Sequence, residues 1–286
     1  MPSSRLREIT DFIKLEHTIF DLPFVVSGAL LASGPVFLPV KYILILLAAT
    51  TARATGMSIN RLLGRRYDEI NPRKKQWSLV KGTMSLRKAL AITIFSALVF
   101  EASSFFLNRF VFILSPVVLF LFITDPLLKR VTQWRHIYMG SVIGVGVLAG
   151  YLSVKPVFPS TPELYVLFAA ASLWIAGFDM IYVIPDIPFD RINGLKTVMT
   201  EYGTGNGLRI SWAVHILTIA LFLLMGILLR SVIFEVLMIP IAALIVLEHL
   251  IVDPDDPATI RRSFLGANSF IGFIFLIAVI LYTLGI

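Results

Sequence analysis

The sequence predicts an all-α fold, a polytopic membrane bundle of nine transmembrane helices that carries two pseudo-repeated Asp-rich motifs. Composition and pattern both support this class. Of the 286 residues, 57% are hydrophobic and 15% are charged, whereas a soluble domain contains about 25% charged residues. The apolar residues are grouped into runs of roughly 20, the length at which a helix crosses the hydrocarbon core of a bilayer.

Each predicted helix corresponds to one apolar run. The nine runs cover residues 18–36, 40–62, 87–106, 109–126, 137–154, 162–184, 207–229, 232–251 and 266–285. The third and fourth runs are separated only by Asn108, which predicts a tight helical hairpin. Prolines such as Pro156 and Pro185 stand at run ends, where proline begins or ends a helix. No linker separates the runs into groups, so we expect one domain over residues 1–286.

The basic residues predict the orientation of the bundle. With nine spans, the N-terminus and the loops after spans 2, 4, 6 and 8 share one side. Most of the 25 Lys and Arg residues fall on that side, and the positive-inside rule places it in the cytoplasm. The other side carries Lys41, Arg109, Lys155 and Arg230. We therefore expect an integral protein of the cell membrane with a cytoplasmic N-terminus and an external C-terminus. This distribution also explains the net charge of +7 without nucleic acid.

Composition excludes several kinds of site. The chain has no cysteine, which rules out disulfides and thiolate metal sites. No two of the four histidines have metal-ligand spacing, and His215 and His249 lie in apolar runs, where packing is the common role. The first 16 residues are polar and mixed in charge, so we expect no cleaved signal peptide.

A short polar segment occurs twice, at the ends of the second and sixth runs. Residues 67–74 and 189–196 both read aromatic, Asp, any residue, Ile, Asn, turn residue, any residue, Lys. A repeated acidic segment that closes two membrane helices predicts two half-sites facing one another. Both segments fall on the predicted cytoplasmic side.

The second run carries a stripe of polar and small residues. Helical spacing places one set of residues on a single face: Arg53, Met57, Asn60, Gly64 and Asp68. An arginine inside an apolar run is costly, so Arg53 is expected to face the protein interior in a functional role. The alternative is a structural ion pair with Asp21 or Glu101, both of which also lie inside spans.

The sixth run ends with three carboxylates, Asp179, Asp186 and Asp190. Carboxylates this close repel one another unless a cation neutralises them, and Mg²⁺ suits carboxylates that share it with phosphate oxygens. A solvated acidic loop is the alternative, but it does not explain the repeat.

Basic residues accompany both acidic segments. Carboxylates, Mg²⁺, Lys and Arg together form the usual set for holding a diphosphate. The candidates from the sequence are Arg65, Arg66, Arg73 and Lys74 at the first segment, and Lys129, Arg130 and Arg135 after the fourth run. Each of them could instead be an orientation anchor of the positive-inside kind.

These residues resemble the motifs of the UbiA superfamily of intramembrane prenyltransferases, over nearly the whole chain. The segment from Asn60 to Asp68 is similar to the motif N-D-x-x-D-x-x-x-D, with Arg61 in place of the first Asp. The second motif, D-x-x-Y-x-x-x-D-x-x-x-D, stands as Asp179, Tyr182, Asp186 and Asp190. Residues 14–20 and the Lys129-Arg130 pair resemble the branch that contains 4-hydroxybenzoate polyprenyltransferases and the similar aromatic prenyltransferases of the alternative menaquinone route. In one departure, Gly64 stands where the first motif has its middle Asp, and the internal repeat aligns Gly64 with Asp186.

The resemblance implies a nine-helix bundle that transfers a prenyl group from a polyprenyl diphosphate to a small aromatic acid in quinone biosynthesis. The tail of the polyprenyl diphosphate would lie in membrane lipid. The resemblance names no protein partner. The Mg²⁺ ligands and catalytic residues would be Asn60, Asp68, Asp186 and Asp190. The substrates would contact Arg65, Arg73, Lys129, Arg130, Asp179 and Tyr182. Arg53 would bind the carboxylate of the acceptor, because Arg pairs with carboxylates through two parallel hydrogen bonds.

Other functions fit part of the pattern. The acceptor could be a naphthoate, a lipid glycerol phosphate, haem or chlorophyllide. A secondary transporter or non-enzymatic membrane carrier would also have repeated halves and intramembrane charges, but its site would lie near the midplane. A catalytically silent relative is a further alternative, because Gly64 removes one expected ligand.

Overall fold

The structure, a computed structural model, describes the backbone of residues 4–286 and the side chains of residues 6–263 and 266–286. Helix accounts for 85% of it, and no strand occurs in the described residues. The all-α class is confirmed.

Thirteen α-helices follow one another along the described chain. They are α1 (Ser4–Ile13), α2 (Thr18–Ser33), α3 (Pro39–Ile70), α4 (Ser78–Lys81), α5 (Leu86–Leu107), α6 (Arg109–Leu127), α7 (Arg135–Val154), α8 (Glu163–Tyr182), α9 (Ile187–Ile192), α10 (Val198–Leu229), α11 (Val232–Ile251), α12 (Pro257–Arg262) and α13 (Asn268–Thr283). Short 3-10 turns cover Leu15–His17, Pro72–Lys74, Leu128–Arg130 and Ile184–Asp186, and a π turn covers Ser263–Ala267.

Eight helices of the described chain are long and apolar enough to cross a membrane: α2 with its preceding turn, α3, α5, α6, α7, α8, α10 and α11. The predicted count of nine is therefore not confirmed. The ninth run forms α13, which is apolar but has only 16 residues. It is short because the π turn takes the beginning of the run and the helix ends at Thr283.

The helix α3 extends well beyond the predicted run 40–62 and ends at Ile70. The polar residues that follow the run are mostly good helix formers, so the helix continues although the hydropathy falls. Asn71 is the first residue outside the helix, and its ψ of 117° is extended. The helix stops there because the following Pro72 disfavours helical backbone at the residue before it. The whole stripe of the first motif is thus carried by one helix.

Two other boundaries follow from local chemistry. α6 begins directly after Asn108, whose side chain accepts a hydrogen bond from the Val111 backbone N–H; the predicted hairpin is confirmed. α10 begins at Val198 and has a kink at Gly203, where φ is 78°. The predicted run 207–229 covers only the part after this kink.

The helix α8 occupies the middle of the bundle, between α7 and α10, while α2 packs on α7 and α13, and α3 packs on α5 and α6. The contacts around α7 are very close. A Cβ atom at Gly140 would lie 2.1 Å from the Ser172 carbonyl oxygen, and one at Gly150 would lie 2.0 Å from that of Val25. Small residues allow membrane helices to approach in this way, so α7 packs closely on α8 at Gly140 and on α2 at Gly150.

Candidate active site

A cavity of about 60 Å³ lies between the two Asp-rich segments. The end of α3, the chain around the α6–α7 connection and the segment after α8 surround it. Its lining residues are Gly64, Tyr67, Asp68, Lys74, Lys129, Arg135, Val183, Asp186, Phe189, Asp190, Leu195, Lys196 and Thr197. Three acids and four basic residues therefore face a small space at the end of an apolar bundle.

The first segment places a carboxylate and a lysine side by side. Asp68 lies in the last turn of α3 and is buried. The chain reverses at Asn71, and the 3-10 turn after it brings Lys74 back against the helix. The Lys74 Nζ atom donates to Asp68 Oδ1 at 2.8 Å. This lysine neutralises a carboxylate that would otherwise be buried alone.

The second segment leaves the helix where the sequence predicts. α8 ends at Tyr182, and Pro185 and Pro188 begin the 3-10 turn and the short α9 that follow. Asp186 lies in that turn. It accepts a hydrogen bond from Asn71 Nδ2 at 3.1 Å and pairs with Arg73 Nη1 at 2.7 Å. The two Asp-rich segments are therefore in direct contact.

Asp190 differs from the other two acids of the cavity. Its side chain forms no hydrogen bond or ion pair with the described residues, although only 9% of the residue is exposed. Burial and the nearby charge of Asp186 raise the pKa of Asp190 to about 6. A bound cation would offset both causes, because it favours the charged form of the carboxylate.

The donor set fits Mg²⁺, since Mg²⁺ takes carboxylate and amide oxygens together with phosphate oxygens. In the described part of the chain, no three His, Asp or Glu side chains are arranged to hold a metal ion as they stand. Lys74 and Arg73 lie against Asp68 and Asp186 instead. Those cations must move for the carboxylates to share an ion.

Two of the predicted site residues, Asn60 and Asp179, do not line the cavity. Asn60 accepts a hydrogen bond from Lys129 Nζ at 3.4 Å on its Oδ1 atom. Asp179 lies on α8, where His136 Nδ1 is 2.6 Å and Arg135 Nη2 is 3.8 Å from its Oδ2 atom. Asp179 is thus held by α7 rather than directed into the cavity.

Several predicted substrate-binding residues lie outside the cavity lining. Arg65 pairs with Glu69 at 2.6 Å on the exposed side of α3. The Arg130 guanidinium lies over the Tyr67 ring, 4.9 Å from its centroid. Tyr182 is partly buried at the end of α8. Of the seven predicted substrate-binding residues, including Arg53, only Lys129 lines the cavity, and Arg73 reaches it through Asp186.

Arg53 forms an ion pair with Asp21, and both side chains are largely buried. This is one of the two structural partners that the sequence allows. The pair is incomplete, because Arg53 Nε and Asp21 Oδ1 have no hydrogen-bond partner among the described atoms.

Arg135, one of the basic candidates from the sequence, lines the cavity. Sequence reasoning missed two charged residues near the cavity. Lys196 lines it, and Asp125 is buried on α6, near Lys129. The repeat contains the signal for Lys196, since it aligns with Lys74. For Asp125 the signal is an acid near the end of an apolar run, which the intramembrane-charge rule marks as a site candidate.

Three comparisons with known proteins find relatives of this chain by sequence and by fold. A 4-hydroxybenzoate octaprenyltransferase of Neisseria meningitidis serogroup B is 29% identical over 151 residues, which are 53% of this chain and 50% of that protein. The chain thus matches half the length of the Neisseria relatives. A protein of the same name from Francisella tularensis is 26% identical over 245 residues, 85% of each chain.

Solved structures share the fold. The apo structure of a UbiA homolog from Aeropyrum pernix K1 is 32% identical, with a TM-score of 0.83, over 93% of this chain and 98% of that one. A UbiA homolog from Archaeoglobus fulgidus bound to GPP and Mg²⁺ is 18% identical, with a TM-score of 0.72, over 96% and 99%. The sequence pattern of the UbiA prenyltransferase family matches residues 22–283, a range that includes both Asp-rich segments. The chain belongs to the UbiA prenyltransferase family.

Proposed function

We propose that this protein is an enzyme that uses Mg²⁺ to transfer a prenyl group from a polyprenyl diphosphate to a small aromatic acid like 4-hydroxybenzoate, in quinone biosynthesis. The observation that carries the proposal is the cavity in which Asp68, Asp186 and Asp190 meet Lys74 and Lys129. A metal–diphosphate complex needs both signs of charge in one place. The names of the matched relatives support the acceptor class, and the GPP and Mg²⁺ in the Archaeoglobus structure support the donor and the ion.

Asn60, Asp68, Asp186 and Asp190 are the residues that would hold Mg²⁺. When bound, Mg²⁺ neutralises negative charge as it develops on the departing diphosphate. Lys74 and Arg73 pair with Asp68 and Asp186 in the ion-free arrangement. A diphosphate offers the same two cations a larger negative charge, so they can turn to the substrate and release the carboxylates. Lys129, already facing the cavity, adds a third cation.

The reaction breaks the bond between the allylic carbon and the diphosphate oxygen, and the electron pair leaves with the diphosphate. The allylic carbon then bonds to the ring carbon next to the acceptor hydroxyl, and that ring carbon loses its proton to the released diphosphate or to water. Tyr67, Phe189, Val183 and Leu195 line the cavity beside the charged groups. Aromatic faces stabilise positive charge, and an apolar lining restricts water that would capture the allylic cation.

Arg53 is proposed to bind the acceptor's carboxylate by exchanging Asp21 for it. The unpartnered Arg53 Nε atom leaves room for the second of two parallel hydrogen bonds. We also propose that the protein lies in the cell membrane with the cavity on the cytoplasmic side, because the basic loops lie on that side. A long prenyl tail then stays in the bilayer while its diphosphate reaches the cavity.

The test uses purified full-length protein in lipid nanodiscs with geranyl diphosphate, Mg²⁺ and 4-hydroxybenzoate. Diphosphate release and the prenylated product are both measured, the product by mass spectrometry. EDTA-treated protein is the control, and release that depends on both Mg²⁺ and 4-hydroxybenzoate is expected.

Parallel reactions with a dihydroxynaphthoate and with a glycerol phosphate ether lipid decide the acceptor class. A product from only one of these would replace 4-hydroxybenzoate in the proposal. Absence of diphosphate release with every acceptor would contradict the enzymatic proposal and favour a membrane carrier.

A further inference from the structure

Asp125 is a buried acid that the proposed reaction leaves without a role. It lies near the C-terminal end of α6, only 7% of it is exposed, and its Oδ1 atom has no hydrogen-bond partner among the described atoms. A carboxylate inside a membrane bundle is costly and usually marks a functional site. What it contacts therefore indicates its role.

Asn60, Lys129 and Arg135 are polar groups near Asp125. Lys129 only donates hydrogen bonds, and its Nζ atom lies 3.4 Å from Asn60 Oδ1. This contact places the Asn60 amide oxygen toward Lys129, which lines the cavity. The amide NH₂ group of Asn60 is then left to donate to a carboxylate such as Asp125, because an ionised carboxylate only accepts hydrogen bonds.

The two sides of the cavity carry different numbers of carboxylates, and this difference explains why the first half-site needs a second one. The second segment contributes Asp186 and Asp190 to the lining, whereas α3 contributes only Asp68. Gly64, one turn after Asn60 on the same helical face, also lines the cavity and aligns with Asp186 in the repeat. The first half-site thus has one negative charge fewer than the second.

We propose that Asp125 supplies, from α6, the carboxylate that α3 lacks at position 64. It fixes the Asn60 amide with its oxygen toward the cation site, and it adds negative charge behind that ligand. Asp125 is thus a positioning residue that acts through Asn60. The inference rests on the proposed function, because it assumes that Asn60 and Asp68 hold Mg²⁺.

The first test measures Mg²⁺ binding without turnover, by calorimetric titration of the full chain with Mg²⁺ in the presence of inorganic pyrophosphate. Asp125→Asn should weaken Mg²⁺ binding by ~10–100-fold, the range for losing a partner that orients a metal ligand. Asp125→Glu keeps the charge and should retain most of the affinity. Glu101→Gln is the matched control, because Glu101 is another acid inside a membrane helix, held by Ser115; it should leave Mg²⁺ binding unchanged.

The second test asks whether a carboxylate at position 64 replaces Asp125. Gly64→Asp in the Asp125→Asn background should restore most of the lost Mg²⁺ affinity. If Asp125 only balances Lys129 and Arg135, Asp125→Asn would instead lower the melting temperature of the ion-free protein. Its Mg²⁺ affinity would then stay at the wild-type value, and Gly64→Asp would rescue nothing. Asp125→Ser, also neutral and polar, is the second variant if Asp125→Asn does not fold, and the same loss is expected.

The outcomes separate this inference from the proposed function. Wild-type binding of Mg²⁺ with unchanged affinity in Asp125→Asn and Asp125→Ser overturns the inference alone. Absence of Mg²⁺ binding by the wild-type protein, with and without pyrophosphate, overturns both.

Discussion

Asn71 and Asp186 are 115 residues apart in the sequence, and Asn71 Nδ2 donates a 3.1 Å hydrogen bond to Asp186 Oδ1. Arg73, two residues further on, pairs with the other oxygen of the same carboxylate at 2.7 Å. One half of the repeat therefore supplies the partners of an acid in the other half. A substitution in either segment should therefore alter the hydrogen bonds and ion pairs of both.

The first prediction concerns Asp186 itself. Asp186→Ala should lower turnover by ~10²-fold or more, the range for removing one group that stabilises developing charge. The protein should remain folded, because the released Arg73 side chain is 41% exposed and water can solvate it. Prenyl transfer and melting temperature are measured together. Asp255→Ala, in an exposed loop, is the control, and wild-type turnover in Asp186→Ala would remove Asp186 from the site.

The second prediction concerns Arg53. If Arg53 binds the acceptor's carboxylate, Arg53→Ala should raise the acceptor KM. The fall in kcat/KM should correspond to a loss of ~2–5 kcal/mol of transition-state stabilisation, as for a lost buried charge partner. Asp21→Asn leaves Arg53 in place and should therefore keep the acceptor KM near the wild-type value. If the ion pair with Asp21 is only structural, both variants should melt early with a normal acceptor KM. Steady-state kinetics with varied 4-hydroxybenzoate distinguishes these results.

The third prediction concerns Gly64. A Cβ atom there would meet nothing nearer than the Asp68 carboxylate oxygens at 3.7 and 3.9 Å, which is ordinary contact. Gly64→Asp should therefore fit and add one anionic ligand to the first half-site. The Mg²⁺ concentration for half-maximal prenyl transfer should fall.

The matched control for Gly64→Asp is Gly205→Asp, which adds the same charge at an exposed glycine with open space around it. It should leave the Mg²⁺ titration in place. An unmoved titration in Gly64→Asp, or loss of activity, would show that position 64 is not a vacant ligand position.

The fourth prediction follows from Asp190. Burial and Asp186 raise the pKa of Asp190 from 3.8 to about 6, so the folded, ion-free protein favours the protonated acid. Its contribution to stability is complete below pH ~3.8 and is lost as the pH rises through about 6. The ion-free protein should therefore melt at a higher temperature at pH 5 than at pH 7 by an amount that Asp190→Asn removes.

The same proton opposes metal binding. Below pH 6 the cation must displace it, so apparent Mg²⁺ affinity should fall as the pH drops through that value. Calorimetric titrations at pH 5.5 and 7.5 measure this. Equal affinities at both values would show that Asp190 carries no proton that Mg²⁺ displaces.

The sequence by itself determined the membrane bundle, the family and the positions of the two Asp-rich segments. Hydropathy and helical spacing depend on residues close together in the chain, so they predict spans, the Asn108 hairpin and the breaks at Pro185 and Pro188. They also place Asn60 and Asp68 on one face of α3. The local pattern failed for the last span, where a π turn leaves α13 at 16 residues.

Only the tertiary structure decided which charges meet. Arg65 and Arg73 lie on either side of Asp68 in the sequence, yet one pairs with Glu69 on the outside and the other with Asp186. Arg53 could pair with either of two acids by sequence, and packing of α2 on α3 brings it to Asp21. Asp125 lies near Asn60 because α6 packs on α3. An ion pair depends on a distance between side chains from separate helices, and that distance is set by helix packing rather than by neighbours in the chain.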